Sequence, residues 1–447
     1  MGKYFGTDGI RGVANVGLTP EIAYKVGSFL ANYYTKEGKK AKIVIGKDTR
    51  LSSSLLESAL TTGITAHGGD AYQLSYTSTP CLAYSAMHND FDCGIMISAS
   101  HNPYYDNGIK VFATNGLKLD AKVEALIEEY IDNPSGIEKV SHEKIGNVFQ
   151  YSEGVNAYFN WLDETFKYDL SHLNIVLDLA NGSNCYTAKE VLSRKGANLF
   201  VINDEPNGLN INTNCGSTHL EMLIDYIKDG DYDIGFAFDG DADRVLVIDS
   251  EGNVVDGDKI MYLLSKHLMK HGQLKDETLV TTVMSNIGLY KALDRANVKY
   301  DVVAVGDKYV VESMVKNGYN LGGEQSGHII NSNHSLFGDG LKTAMNILEV
   351  MVENDLGIDE LVEDVKIYPQ LLVNVKVTDK TIVLNDEVIN AKIDEIKNTL
   401  GNDGRILVRP SGTEPLIRVM VEASTDEICH DLVYSVIELI KEKGYAK

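Results

Sequence analysis

The sequence predicts an α/β protein of several layered domains that closes on a smaller α+β domain. Three observations predict it. Apolar strand-length runs alternate with amphipathic helical patterns through most of the chain, an order that lays helices on mostly parallel sheets. Each strand run ends in a cluster of Gly, Asp or Ser, where an open α/β sheet meets its ligands. After Pro369 the alternation gives way to paired strands and longer helices.

In order along the chain, Ile22, Val26, Phe29, Leu30 and Tyr33 mark the apolar face of a first helix, which leads to a strand over 42–46. Strands at 174–178, 233–238, 279–283 and 301–305 repeat that scheme. Beyond Pro369 the pattern predicts a strand at 371–377, a helix at 386–400, strands at 405–408 and 417–421, and a helix at 426–443. A chain of 447 residues exceeds one core at about 150 residues per domain. Turn-rich positions near Ser152, Gly252 and Lys366 divide it into 1–151, 152–252, 253–366 and 367–447.

The formal net charge of -23 argues against a nucleic-acid partner, because neutralising phosphates requires a basic face. An anionic substrate must be held by locally concentrated Arg, Lys and backbone N–H groups. Cys81, Cys93, Cys185, Cys215 and Cys429 are scattered, odd in number and form no Cys-x-x-Cys pair, a usage that fits reduced thiols. The N-terminal run lacks a signal-peptide core, and Gly6 stands where a myristoylation motif carries Ser or Thr. No apolar stretch approaches the ~20 residues of a membrane span. The expectation is a cytoplasmic chain with no membrane partner.

Four loops carry the chemistry. Ile95-Met96-Ile97 ends in Ser98-Ala99-Ser100-His101-Asn102-Pro103, where Pro103 stops the strand and leaves a hydroxyl at its carboxyl end. Phe238-Asp239-Gly240-Asp241-Ala242-Asp243-Arg244 sets three carboxylates at alternate positions, able to converge on one hard cation, for which Mg²⁺ is the expectation. An EF-hand is excluded, because its Gly and Glu positions are occupied by Arg244 and Ser250. In Gly322-Gly323-Glu324-Gln325-Ser326-Gly327-His328, Glu324 and Ser326 point the same way if the segment is extended, which suits vicinal sugar hydroxyls. Arg409-Pro410-Ser411-Gly412-Thr413-Glu414-Pro415, with Arg418 behind it, combines guanidinium, hydroxyl and backbone donors for a phosphate. No Gly-x-x-x-x-Gly-Lys-[Ser/Thr] nucleotide loop is present. The four loops together describe phosphoryl transfer on a phosphosugar, with the serine itself as the simplest donor.

Taken with Tyr4-Phe5-Gly6-Thr7-Asp8-Gly9-Ile10-Arg11-Gly12, these runs resemble the α-D-phosphohexomutase superfamily, over essentially the whole chain and in the family's order. The resemblance implies three similar mixed α/β domains plus a C-terminal α+β domain arranged around a central cleft. It implies that Ser100 becomes phosphoserine and that Asp239, Asp241 and Asp243, completed by the Ser100 phosphate, ligate one Mg²⁺ per chain. Glu324 and Ser326 match the sugar loop, while Arg409, Ser411, Gly412, Thr413 and Arg418 match the distal phosphate site. Arg11 and Arg244 would offset the charge of the transferring group, and Lys110 and His328 are the candidates for moving the hydroxyl proton.

The N-terminal run and the Glu324 loop resemble the branch that interconverts glucosamine 6-phosphate and glucosamine 1-phosphate on the way to UDP-N-acetylglucosamine. A 1,6-bisphosphate is its intermediate and activator, and a homodimer is the family-level expectation. A mutase for glucose or mannose phosphates and a metal-dependent sugar phosphatase are the alternatives. Ala242 replaces a usual Gly, a change suited to negative φ and strained at positive φ. Lys308 and Lys47 each replace a usual Arg, which puts bidentate contacts at Lys308 in question; the change at Lys47 is expected to be structural.

Overall fold

A computed structural model describes residues 2–411 and 414–447; Gly412 and Thr413, two expected phosphate ligands, lie outside the described residues. The chain packs as two compact units, Met1–Met284 with Val298–Val362, and Ser285–Asn297 with Glu363–Lys447.

The first unit holds three sheets. The largest runs, in spatial order, Phe5–Gly6, Gly9–Val13, Asp106–Phe112, Cys93–Ile97, Lys42–Lys47, Asp70–Tyr76 and Val148–Gln150. Lys42–Lys47 is parallel to both of its neighbours, as βαβ alternation requires. Cys93–Ile97 and Asp106–Phe112 are antiparallel, because the loop between them is too short for a crossover. The sheet is therefore mixed, and the short return is the loop that carries Ser100. Helices Pro20–Tyr34 and Ser53–Ala66 cross closely on one face. A Cβ at Gly63 would lie 2.1 Å from the Tyr24 carbonyl oxygen, so only glycine permits that approach.

The second sheet runs Val254–Val255, Val245–Asp249, Ile234–Phe238, Asn174–Asp178, Asn198–Ile202, and the third Lys299–Val303, Thr278–Thr282, Leu321–Gly323, Ile329–Asn331. The strand expected at 301–305 forms at Lys299–Val303 instead, along a sheet edge where Tyr300 and Val302 face solvent. Buried bonds join the first two sheets: Thr49 Oγ1 donates to the Asn181 carbonyl at 2.6 Å, and the Thr79 amide donates to the Asp241 carbonyl at 2.9 Å.

The second unit is a three-stranded antiparallel sheet ordered Gln370–Lys376, Leu416–Glu422, Arg405–Pro410. Helices Glu387–Leu400 and Asp426–Glu442 cover it. Asp386 caps the first of these by accepting from the Val388 and Ile389 amides. Helix Ile287–Arg295 packs with this unit, the Ile287 amide donating to Glu422 at 2.8 Å. Among the described residues no helix is long and apolar enough to cross a membrane.

Candidate active site

Ser100 sits three residues beyond its strand, 1% exposed, with φ +53°. A side chain in this left-handed region costs about 1–2 kcal/mol, so its surroundings must impose the conformation. They do so by gripping the carbonyl: the Ser100 oxygen accepts from Arg50 Nη2 and Asn212 Nδ2, each at 2.8 Å. Asp48 holds Arg50 in place through Nε at 2.9 Å, both side chains being fully buried. The Ser100 amide donates to Ser98 Oγ at 2.9 Å. Its hydroxyl is thereby aimed at Asp239, donating to Oδ2 at 2.6 Å, and lies 3.3 Å from His101 Nδ1.

Asp239 begins the turn between the antiparallel strands Ile234–Phe238 and Val245–Asp249. All three aspartates are buried, and their ligand atoms lie within 4.8 Å of one another. Ala242 within the turn has φ +62°, so this replacement falls at a strained position and not at the negative φ an alanine prefers. A Cβ at Gly240 would come within 2.7 Å of the Ser100 oxygen, so glycine is what lets the two loops touch.

Lys110 neutralises this acidic turn. From Asp106–Phe112 its ammonium reaches Asp241 Oδ2 at 2.8 Å, Asp8 at 3.2 Å and Asp243 Oδ2 at 3.4 Å. Burial disfavours its charge, but the three carboxylates prevail and raise its pKa well above the usual value. Burial likewise pushes Asp241 up, yet Lys110 and a 2.5 Å hydrogen bond from Thr79 bring it down to about 2. Asp239, crowded by burial and by Asp243 and Asp241, is raised well above the carboxylate range. Asp241 Oδ1 and Asp243 Oδ1 are buried with no hydrogen-bond partner. Two such oxygens beside a third carboxylate fit a divalent cation with oxygen ligands.

A cavity of about 380 Å³ opens beside the turn, lined by Arg11, Asp243, Arg244, Glu324, Ser326 and His328 among others. Arg11 pairs with Asp8, and Arg244 Nε lies 3.8 Å from Asp243 Oδ1. His328 Nε2 is 4.0 Å from Asp243 Oδ2. Glu324 accepts from the Gly306 amide at 3.0 Å. The Glu324 segment is a turn closed by the Gly327 amide on the Glu324 carbonyl at 3.0 Å, not the extended run read from its spacing, yet both side chains line the same cavity. Lys308 lines an adjoining cavity of about 310 Å³ with Lys118 and Asp307, its ammonium 4.0 Å from Glu312. Lys47 pairs with Glu57 in the interior, a structural contact.

Phosphoglucomutase/phosphomannomutase family models match the chain four times in succession: α/β/α domain I at residues 2–137, II at 150–252, III at 256–368, and the C-terminal domain at 372–439. The phosphoglucosamine mutase of Lachnospira eligens is 51% identical over 449 residues, covering 100% of both chains. That of Bacillus subtilis is 46% identical, covering 99% of both. The chain belongs to the phosphoglucomutase/phosphomannomutase family. Phosphohexomutases also share its fold. A Burkholderia thailandensis phosphoglucomutase/phosphomannomutase family protein superposes with TM-score 0.80 at 21% identity, covering 98% of this chain and 97% of that one. Aspergillus fumigatus N-acetylphosphoglucosamine mutase, solved with GlcNAc-6P and magnesium, gives 0.69 at 18% identity, covering 98% and 95%.

In this phosphohexomutase the C-terminal unit presents a second basic group. Arg409 and Arg418 are direct cross-strand partners, an arrangement that like charges disfavour unless an anion sits between them. Arg418 Nε is buried without a hydrogen bond, and burial, then Arg418, lowers the Arg409 pKa. Ser411 is buried next to them, its hydroxyl accepting from the Glu414 amide at 3.2 Å.

Several functional residues escaped sequence reading. Asp48, Arg50, Asn212 and Thr79 hold the serine and the aspartates but lie far from them along the chain. Asp48 and Arg50 alone left a signal, a charged pair directly after an apolar strand run. Nothing around Asn212 distinguishes it from a polar loop.

Proposed function

We propose that this phosphosugar mutase, an isomerase, interconverts D-glucosamine 6-phosphate and α-D-glucosamine 1-phosphate through a phosphorylated Ser100 and a 1,6-bisphosphate intermediate. The observation that carries the reading is the buried Ser100 hydroxyl on Asp239 at 2.6 Å, beside a triad with two buried carboxylate oxygens that accept no hydrogen bond. Full-length relatives at 51% and 46% identity that are phosphoglucosamine mutases support the amino-sugar substrate.

Asp239, Asp241, Asp243 and a phosphate on Ser100 would hold one Mg²⁺ per chain. Such an ion, when bound, supplies charge stabilisation at the transferring phosphoryl oxygens. The chain's own residues do the rest. Arg11 and Arg244 face the cavity and neutralise the same oxygens. Lys110 stays an ammonium that holds Asp241 and Asp243 apart and in place. Glu324 and Ser326 bind sugar hydroxyls, while Arg409, Ser411 and Arg418 bind the phosphate that is not reacting.

In the forward step the phosphorus–oxygen bond to Ser100 breaks as one forms to the sugar hydroxyl, and the hydroxyl proton ends on Ser100 Oγ. His328, which lines the cavity, is the better base to take that proton from the sugar hydroxyl and pass it on, since Lys110 is held as an ammonium by three carboxylates. The bisphosphate then binds end for end and returns its other phosphoryl group to Ser100. Guanidinium and hydroxyl donors accept either end of such a molecule.

Coupled turnover with glucosamine 6-phosphate tests this, with glucose and mannose phosphates compared by kcat/KM. A Ser100→Ala chain that turns over normally overturns the mechanism, and a higher kcat/KM on glucose or mannose phosphate overturns the substrate. Steady release of inorganic phosphate without isomerisation would make the protein a sugar phosphatase.

A further inference from the structure

On the same unit, away from the aspartate turn, two histidines and a glutamate converge. His267 lies in helix Gly257–Lys270, and His271 caps its end. The His271 amide still donates to the His267 carbonyl at 3.2 Å, so the rings stand one turn apart on one face. Their centroids are 4.6 Å apart. Glu353, from helix Gly340–Asn354, meets both with one atom: Oε2 is 3.7 Å from His267 Nδ1 and 3.2 Å from His271 Nε2.

We propose that His267, His271 and Glu353 form a second metal site, for Zn²⁺ or a similar borderline transition ion, that clips the two helices together near their C-terminal ends.

The spacing fits such an ion. Metal–ligand bonds of about 2.0–2.1 Å in a tetrahedron place ligand atoms roughly 3.3 Å apart, close to the two distances observed. The ligand set also fits, because two imidazoles and a carboxylate suit zinc, whereas Mg²⁺ takes oxygens. The carboxylate is oriented from behind, since the Tyr168 hydroxyl donates to Oε1 and leaves Oε2 turned to the rings. His267 Nδ1 is buried with no hydrogen-bond partner. Lys270, in the same helix as His267, is engaged with Asn354 Oδ1 at 3.1 Å. Exposure rises from 12% at His267 through 22% at Glu353 to 38% at His271, leaving the outer side to a water as fourth ligand.

The clip has a purpose at the other ends of the same helices. The Gly257 amide donates to the Gln325 carbonyl in the Glu324 turn at 3.0 Å, and the Gly340 amide to the Ala242 carbonyl in the aspartate turn at 3.0 Å. An ion between the distal ends would fix the pair of helices that brace both turns, roughly 20 Å away at 1.5 Å rise per residue.

The test is Zn²⁺ titration of the full chain in excess Mg²⁺ against a chromophoric chelator, with thermal unfolding and the visible spectrum of the Co²⁺ form. The wild type is expected to take one Zn²⁺, melt higher with it, and give the intense spectrum of tetrahedral Co²⁺. His271→Gln and Glu353→Gln should lose that ion while keeping Mg²⁺-supported turnover, and Tyr168→Phe should weaken it about tenfold. Asp241→Asn should retain it. No uptake by the wild type, equal uptake by the His271 and Glu353 variants, or loss only in Asp241→Asn would overturn the proposal.

Discussion

The ammonium of Lys110 and the carboxylate of Asp241 meet at 2.8 Å with neither side chain more than 1% exposed. A buried pair of this kind contributes little net stability while whole and costs much when halved. Lys110→Met leaves Asp8, Asp241 and Asp243 without their shared cation. Urea unfolding is expected to show a loss of about 3–5 kcal/mol, part of it recovered when Mg²⁺ is added. A loss unaffected by Mg²⁺ would mean that the carboxylates are not the metal ligands.

The backbone at Ser100 separates conformation from chemistry. Ser100→Gly and Ser100→Ala both remove the hydroxyl and are expected to abolish turnover. Glycine accepts φ +53° and alanine does not, so the glycine variant should be the more stable by about 1 kcal/mol. Thermal unfolding of the two variants side by side checks the difference.

Arg409 and Arg418 make the C-terminal sheet responsive to anions. Inorganic phosphate should raise the melting temperature of the wild type. Arg418→Met should be no less stable without phosphate, lose the phosphate response, and raise KM about tenfold or more, in line with the one or two kcal/mol of a charge-assisted hydrogen bond. A variant with unchanged KM would remove Arg418 from the substrate site.

Asp339 gives a pH prediction. It caps helix Gly340–Asn354 by accepting from the Lys342 amide and also accepts from the Tyr158 hydroxyl at 2.8 Å. Burial raises its pKa to about 6. Between pH 4 and about 6 the unfolded chain ionises this group while the folded chain keeps it protonated. The folded state then binds more protons, so this contribution to stability is present at low pH and is lost as pH rises to about 6. Asp339→Asn keeps an acceptor and removes the titration. Its stability should therefore fall less than that of the wild type over that window, by up to about 3 kcal/mol, measured by urea unfolding at pH 4.5 and 7.

His328 and Lys110 are separable by kinetics. If His328 moves the proton, His328→Gln should lower kcat by about 10²–10⁴-fold and remove one limb of the pH–rate profile. Lys110→Arg, which keeps the charge, should retain the shape of that profile. The opposite pattern would assign the proton to Lys110.

What the sequence made legible was what sits within a few residues of its own signal. The run from Ile95 to Pro103 announces a strand end with a hydroxyl, and the alternation of Asp239, Asp241 and Asp243 announces a cation. Asp386 before an apolar periodic run marks the helix start that forms at Glu387. Hidden features depend on contacts between distant positions. Arg50 and Asn212 become neighbours only when two sheets meet at the Ser100 carbonyl. The strand at Lys299–Val303 lies two residues early because its outward side chains carry no burial pattern to fix its bounds. The Glu324 segment turns because Gly327 adopts φ +87°, a choice that side-chain spacing cannot reveal.

The bonds from Thr49 to Asn181, from Thr79 to Asp241, and from Asn212 to the Ser100 carbonyl tie the first two sheets together around the serine loop and the aspartate turn, and Arg50 grips the same carbonyl from the first sheet's side. These are interior bonds, and breaking them exposes polar groups to apolar surroundings. In the proposed mechanism the donor serine and the metal-holding turn would therefore act as a single anvil. On that mechanism, when the intermediate reverses, the freedom to turn would belong to the sugar bisphosphate, each of its ends being presented in turn to the same Ser100 oxygen.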